Sequence, residues 1–170
     1  MRYRALGIKA KVFLCFIVLS ICALFLISFF NIFIDVNKKG ISVFDTVFEW
    51  FIYVVLVTIV SGFLLSLVNS SHELTENQLI LRLGLMGFVR LKYNDIKVVS
   101  KFEEKKLPPR GMRILGNTCY MFFEKDNLVK IQLKGKVRVY YLLFLKRYID
   151  TIVFSAEKRE EFIEELKSRI

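Results

Sequence analysis

Residues 12–34 form a run of 23 without a single charged side chain, and residues 46–68 form a second run of 23 in which Glu49 is the only charge. At ~1.5 Å per residue a helix of that length reaches ~35 Å, enough to cross a hydrocarbon core of ~30 Å with some tilt. The two runs are therefore expected to be transmembrane helices. Residues 35–45 (DVNKKGISVFD) are short and polar with a glycine at position 40, as a hairpin loop requires.

The flanking charge sets the expected orientation. Arg2, Arg4, Lys9 and Lys11 precede the first run, whereas the loop carries only Lys38 and Lys39. The excess of cations before the first crossing predicts a cytoplasmic N-terminus, and a second crossing returns the C-terminus to the cytoplasm. The first run is longer than a signal-peptide core and no small-residue cleavage site follows it, so it reads as an uncleaved anchor. This is a multi-pass cell-membrane reading.

Inside the hairpin three features stand out. Asn31 and Glu49 are placed at matching depth, as a possible intramembrane polar pair, with snorkelling to the interface as the plainer alternative. Thr58, Gly62 and Ser66 fall at i, i+4 and i+8 and form a small-residue stripe for helix packing, against the first helix or a second copy. Trp50 and Tyr53 suit an interfacial aromatic belt.

From residue 72 the periodicity changes to short alternating stretches separated by turn text. Residues 72–75 and 79–83 flank Glu76-Asn77 as a hairpin, and residues 89–93 alternate, with Arg90 and Lys92 on one face. Residues 96–102 follow the turn at Asn94-Asp95. Residues 103–117 hold both prolines and a mixed-charge cluster and read as a long loop. Strands are expected again at 118–123, 128–133, 137–144 and 149–154. A closing helix is expected after Ser155 as N-cap, with Phe162, Ile163, Leu166 and Ile170 as its apolar stripe. The division is thus a membrane domain over 1–68 and a cytoplasmic domain over 72–170, joined by Asn69, Ser70 and Ser71.

The phrases ELTENQLILRLGL, LKYNDIKVV and VFSAEKREEFIEELKSRI resemble the bacterial pleckstrin-homology-like (PH-like) domains that follow one or two transmembrane helices. The resemblance covers 72–170 and rests on fold markers. It implies a mostly-β PH-like barrel of about seven antiparallel strands capped by one C-terminal α-helix, behind a transmembrane α-helical hairpin. Phosphoinositide-binding PH domains cluster Lys and Arg around their first hairpin; here that hairpin carries Glu73 and Glu76 with only Arg82 as a cation.

The chain offers little to a catalyst. Its one histidine, His72, has no nucleophile and acid arranged around it, and no phosphate-binding, zinc-protease, hydrolase or dinucleotide motif is present. Cys15, Cys22 and Cys119 form neither a disulfide framework nor a metal site, and no cofactor is expected. The net charge is +10, and from Asn69 onward 20 Lys and Arg stand against 13 Asp and Glu. The candidate contacts for anionic-leaflet lipid or a partner are Arg82, Arg90, Lys92, Lys105, Lys106, Arg110, Arg113, Lys136 and Arg138. A nucleic-acid partner is not expected. The leading expectation is a non-enzymatic interaction module at the inner membrane surface, acting on lipid headgroups, another membrane protein or a second copy. A bacteriocin-type immunity protein is the alternative, and an enzyme or transporter subunit working through Glu49 and Asn31 is a third.

Overall fold

The apolar runs are helical. The computed structural model describes residues 2–39, 43–103, 107–141 and 145–170. Within them α1 spans Ile8–Lys39 and α2 spans Val43–Val68. Their stretches Ile8–Asn31 and Phe48–Val68 have mean hydropathies of 3.0 and 2.6 and are almost wholly uncovered by protein, so both are long and apolar enough to span a membrane.

Two compact units emerge: residues 12–65, and a second made of residues 1–11 with 66–170. In the helical unit the contact face is aromatic. The Phe25 ring meets Trp50 edge-on at 5.2 Å and stacks on Tyr53 at 5.5 Å, and Phe29 meets Trp50 at 5.0 Å. The small-residue stripe is not that face. Thr58 is exposed, and a side chain added at Gly62 would meet nothing within 4 Å.

The second unit is a curled, mixed sheet. Its strands are β1 (Arg2–Arg4), β2 (Ser71–Leu74), β3 (Gln78–Leu83), β4 (Gly87–Lys92), β5 (Ile96–Lys101), β6 (Gly111–Leu115), β7 (Thr118–Phe122), β8 (Leu128–Tyr141) and β9 (Leu145–Ser155). One helix, α3 (Arg159–Lys167), follows. The spatial order is β1-β2-β3-β4-β8-β9-β7-β6, with β5 paired to β8. Alternation places Leu79, Leu81, Leu83, Val89, Leu91, Ile131, Val139 and Ile152 inside the curl, where Phe162 and Leu166 of α3 close over them. Alternate residues of the same strands face outward, as the two-residue period of a strand demands.

Four features depart from the sequence expectation. The sheet is not wholly antiparallel: β9 inserts between β7 and β8, and two chain reversals leave β7 and β9 parallel, with Cys119 opposite Ile152. The stretches expected at 128–133 and 137–144 form one strand as far as Tyr141, β8, continuous through an irregularity between Gln132 and Val137, and 142–144 lie outside the described residues. The loop expected over 103–117 contains β6, paired along its length with β7. Ser155 does not cap α3, which begins at Arg159 after Lys158; Ser155 ends β9 instead, and Ile170 is 50% exposed beyond the apolar stripe.

A fifth difference is topological. The basic segment before the first helix is a strand, β1, paired antiparallel to β2 with Tyr3 opposite His72 and Arg4 opposite Ser71. The helical unit is thus an insertion between the first two strands of the β unit. Tyr3 is buried and meets the Phe162 ring edge-on at 5.0 Å, and Ala5 and Leu6 are buried beside it. His72 is wholly buried: its ring meets Phe154 at 4.9 Å, Nε2 lies 2.9 Å from the Ser155 carbonyl, and Nδ1 has no hydrogen-bond partner among the described residues.

Candidate functional site

The outward residues of β3, β4, β8 and β9 build the most distinctive surface of the β unit. Register places Arg82 opposite Phe88, Phe88 opposite Tyr140, and Tyr140 opposite Lys146. Directly opposed residues of antiparallel strands share a face, so these four make one row across four strands. The Phe88 and Tyr140 rings stack at 4.9 Å with an interplanar angle of 11°. In the adjoining row the Arg90 guanidinium sits 5.5 Å from the Phe88 ring centre. Arg138 lies 5.6 Å from the Tyr148 ring centre and donates to the Tyr148 hydroxyl at 3.0 Å. That guanidinium holds the Tyr148 phenol below its ordinary pKa.

Beside this face lies a concavity of about 410 Å³, lined by Arg82, Gly84, Leu85, Gly87, Phe88 and Tyr140 together with Ser66 and Asn69. Ser66 belongs to the last turn of α2, where the apolar stretch ends at Val68. Its Oγ accepts the Leu85 amide at 3.1 Å and so fixes the turn 84–86 against the helix end. Gly84 makes this approach possible, and Gly87 allows β4 to lie close to β8. Gly84 has φ +52°, and a Cβ there would lie 2.7 Å from the Ser66 carbonyl; a Cβ on Gly87 would lie 2.4 Å from the Tyr140 oxygen.

The structure gathers some of the cations named from sequence and separates others. Arg82, Arg90 and Arg138 share the outer face just described. Arg113 lies apart, lining a cavity of about 320 Å³ with Met86, Met112, Leu115, Tyr141 and Arg147. Lys136 lies at a third place, with Lys97, Lys134 and Asp150, where β8 is irregular. Lys92 is exposed at the opposite end of β4 from Gly87, and Arg110 is exposed ahead of β6. Lys105 and Lys106 lie outside the described residues. In the helical unit Glu49 lines a cavity of about 250 Å³ with Ser28, Trp50 and Tyr53, whereas Asn31 is exposed and does not line it.

Phe88, Tyr140, Lys146 and Tyr148 were not legible as site residues. The alternation R-x-Y at 138–140 and K-x-Y at 146–148 carries the signal, but it places both pairs on one face only once β9 is known to begin at Leu145.

Among the described residues no three His, Cys, Asp or Glu side chains come together as a metal site. His72 is sealed in the interior, where burial pushes its pKa down to about 4. Cys119 is likewise buried, and the same desolvation pushes its thiol up to about 12. Comparison with known proteins finds no matching family model, no matching curated protein and no matching solved structure.

Proposed function

We propose that this chain is a membrane-anchored, non-enzymatic interaction module whose β unit works at the inner membrane surface, on lipid headgroups or on a membrane-protein partner. One observation carries the reading: β1 and β2 are hydrogen-bonded neighbours, so the chain leaves the β unit for α1 and re-enters it from α2 within a single sheet. Three residues separate β1 from α1 and two separate α2 from β2. At ~3.5 Å per extended residue neither link exceeds about 15 Å. A domain held by two such links stays within reach of the surface at which its spans end.

The same pairing supports a topology in which both termini lie on one side of the membrane. Arg2, Arg4, Lys9 and Lys11 favour the cytoplasmic side for it. The exposed Arg82, Arg90, Arg138 and Lys146 suit an anionic leaflet, each contributing about 1 kcal/mol near such a surface. The resemblance to membrane-tethered PH-like domains points the same way.

The test is photocrosslinking in native membranes. A photoreactive phenylalanine analogue placed at Leu85 or Tyr148 is expected to give lipid or membrane-protein adducts well above those from Lys167 on α3. Adducts at neither position would overturn the proposal.

A further inference from the structure

The outer face of β3, β4, β8 and β9 combines cations and aromatic rings in a fixed lattice, and its chemistry is narrower than general surface attraction. Arg82 and Lys146 flank the stacked Phe88 and Tyr140, and Arg90 and Arg138 stand in the next row. Among the described residues none of these four cations is paired with a carboxylate, although carboxylates elsewhere in the unit are engaged, as Glu160 is by Lys101 at 2.9 Å. Glu73 of β2, opposite Ile80 of β3, is an acidic residue in the Arg90 row, and it lies two strands away from Arg90 in the register, beyond Ile80.

A soluble anion would use the cations and leave the rest of the face idle. The cations instead border apolar surface: Leu85 is 42% exposed in the same concavity, which is lined largely by Phe88, Tyr140 and glycine backbone. That concavity opens beside Ser66 and Asn69, where the second apolar stretch ends. Its volume of about 410 Å³ lies in the range of small-molecule sites, roughly 300–1,000 Å³. A ligand that suits all of this carries a negative charge next to a greasy stem and resides at the end of a membrane span.

We infer that this face binds the headgroup of an anionic phospholipid, with Arg82 meeting the phosphate in the concavity and Phe88 and Tyr140 covering the glycerol and first acyl carbons. Lys146, Arg90 and Arg138 draw in the remaining negative charge. The inference rests on the membrane-surface reading above and narrows it to lipid. Rings with a cationic edge are also what single-stranded nucleic acid stacks upon, so that occupant is tested in parallel.

The experiment uses the full chain in a neutral detergent and counts retained lipid by native mass spectrometry, with phosphatidylglycerol or phosphatidylcholine added. Phosphatidylglycerol is expected to be retained in preference, and the preference to fall about fivefold in Arg82→Gln and again in Lys146→Gln, with Lys134→Gln unchanged. Unchanged melting temperatures in the variants show that the sheet is intact. Equal retention of the two lipids by the unaltered chain, a preference that survives both substitutions, or an oligonucleotide that displaces the lipid would each overturn the inference. If lipid preference is absent while photocrosslinks run to a membrane protein, the headgroup site fails and the interaction-module reading stands.

Discussion

Ser155 Oγ donates to the carbonyl of Ala5 at 2.9 Å, joining two residues 150 positions apart. The bond closes a seam between the first strand and the end of the last, and both of its residues are buried. Around it Glu157 N donates to the Arg4 carbonyl at 3.3 Å, Ala5 N donates to the Ser70 carbonyl at 3.3 Å, and Tyr3 packs on Phe162. The segment ahead of α1 is therefore part of the β core.

Replacing Tyr3 by alanine should consequently destabilise the β unit although the residue precedes both helices. Tyr3 is 5% exposed, and truncating a buried aromatic typically costs about 3 kcal/mol or more. Limited proteolysis of the full chain after Arg2 or Arg4 reads this directly. Cleavage there should be slow in the unaltered chain and accelerate at least tenfold in Tyr3→Ala; equal rates would show that β1 does not hold.

His72 should make stability fall with acid in a window of its own. Desolvation lowers its folded pKa to about 4, only partly opposed by the bond to Ser155, against about 6.5 when unfolded. Because the folded state keeps the ring neutral, the stabilisation is complete above pH 6.5 and is lost as pH falls through 4. It amounts to at most about 3 kcal/mol at 1.36 kcal/mol per unit. Glu160, held down to about 2 by Lys101 and Arg159, acts below pH 4.5 and so is separable. Denaturant unfolding at stepped pH should show the upper slope in the unaltered chain and not in His72→Gln. A slope that persists in the variant would assign it to another group.

The junction between Ser66 and the turn 84–86 should be sensitive to one methyl group. Gly84→Ala forces a left-handed backbone on a residue with a Cβ and drives that carbon to 2.7 Å from the Ser66 carbonyl, a combined cost of at least about 2 kcal/mol. Ser66→Ala removes the bond to the Leu85 amide, worth about 1 kcal/mol. Hydrogen exchange at Leu85 should quicken in both, more in Gly84→Ala; the reverse order would be inconsistent with this geometry.

Cys119 should be inert to thiol reagents while the sheet is intact. Its thiol is buried and pushed up to about 12, so its thiolate fraction near neutral pH is lower by about three powers of ten than that of a free cysteine. In a Cys15→Ser, Cys22→Ser background, N-ethylmaleimide should label the chain only on unfolding. Rapid native labelling would place Cys119 at a surface.

Local pattern made most of the fold legible. The two apolar runs, the hairpin around Glu76-Asn77, the alternation at 89–93 and the stripe Phe162, Ile163 and Leu166 each carry their periodicity within a dozen or so residues, and all are found where expected. What escaped depends on partners distant in sequence. Arg2, Tyr3 and Arg4 are too few to show a strand period, and their partners lie some 70 positions on. The insertion of β9 between β7 and β8 leaves no local trace. The surface was half legible for the same reason: Arg82, Arg90 and Arg138 are visible as cations, but the rings that order them come from β4, β8 and β9 through register alone.

The insertion of the helical unit between β1 and β2 has a consequence for biosynthesis. β1 is made first, yet its partner strand follows only after both apolar segments have been synthesised. A chain inserted with a single crossing would strand β1 on the far side of the bilayer and leave β2 with an open edge and Phe162 without its cover. With both helices crossing a bilayer, only a chain whose second crossing returns to the side it left can complete its sheet, so closure of the β unit would double as a check on how the two helices were inserted.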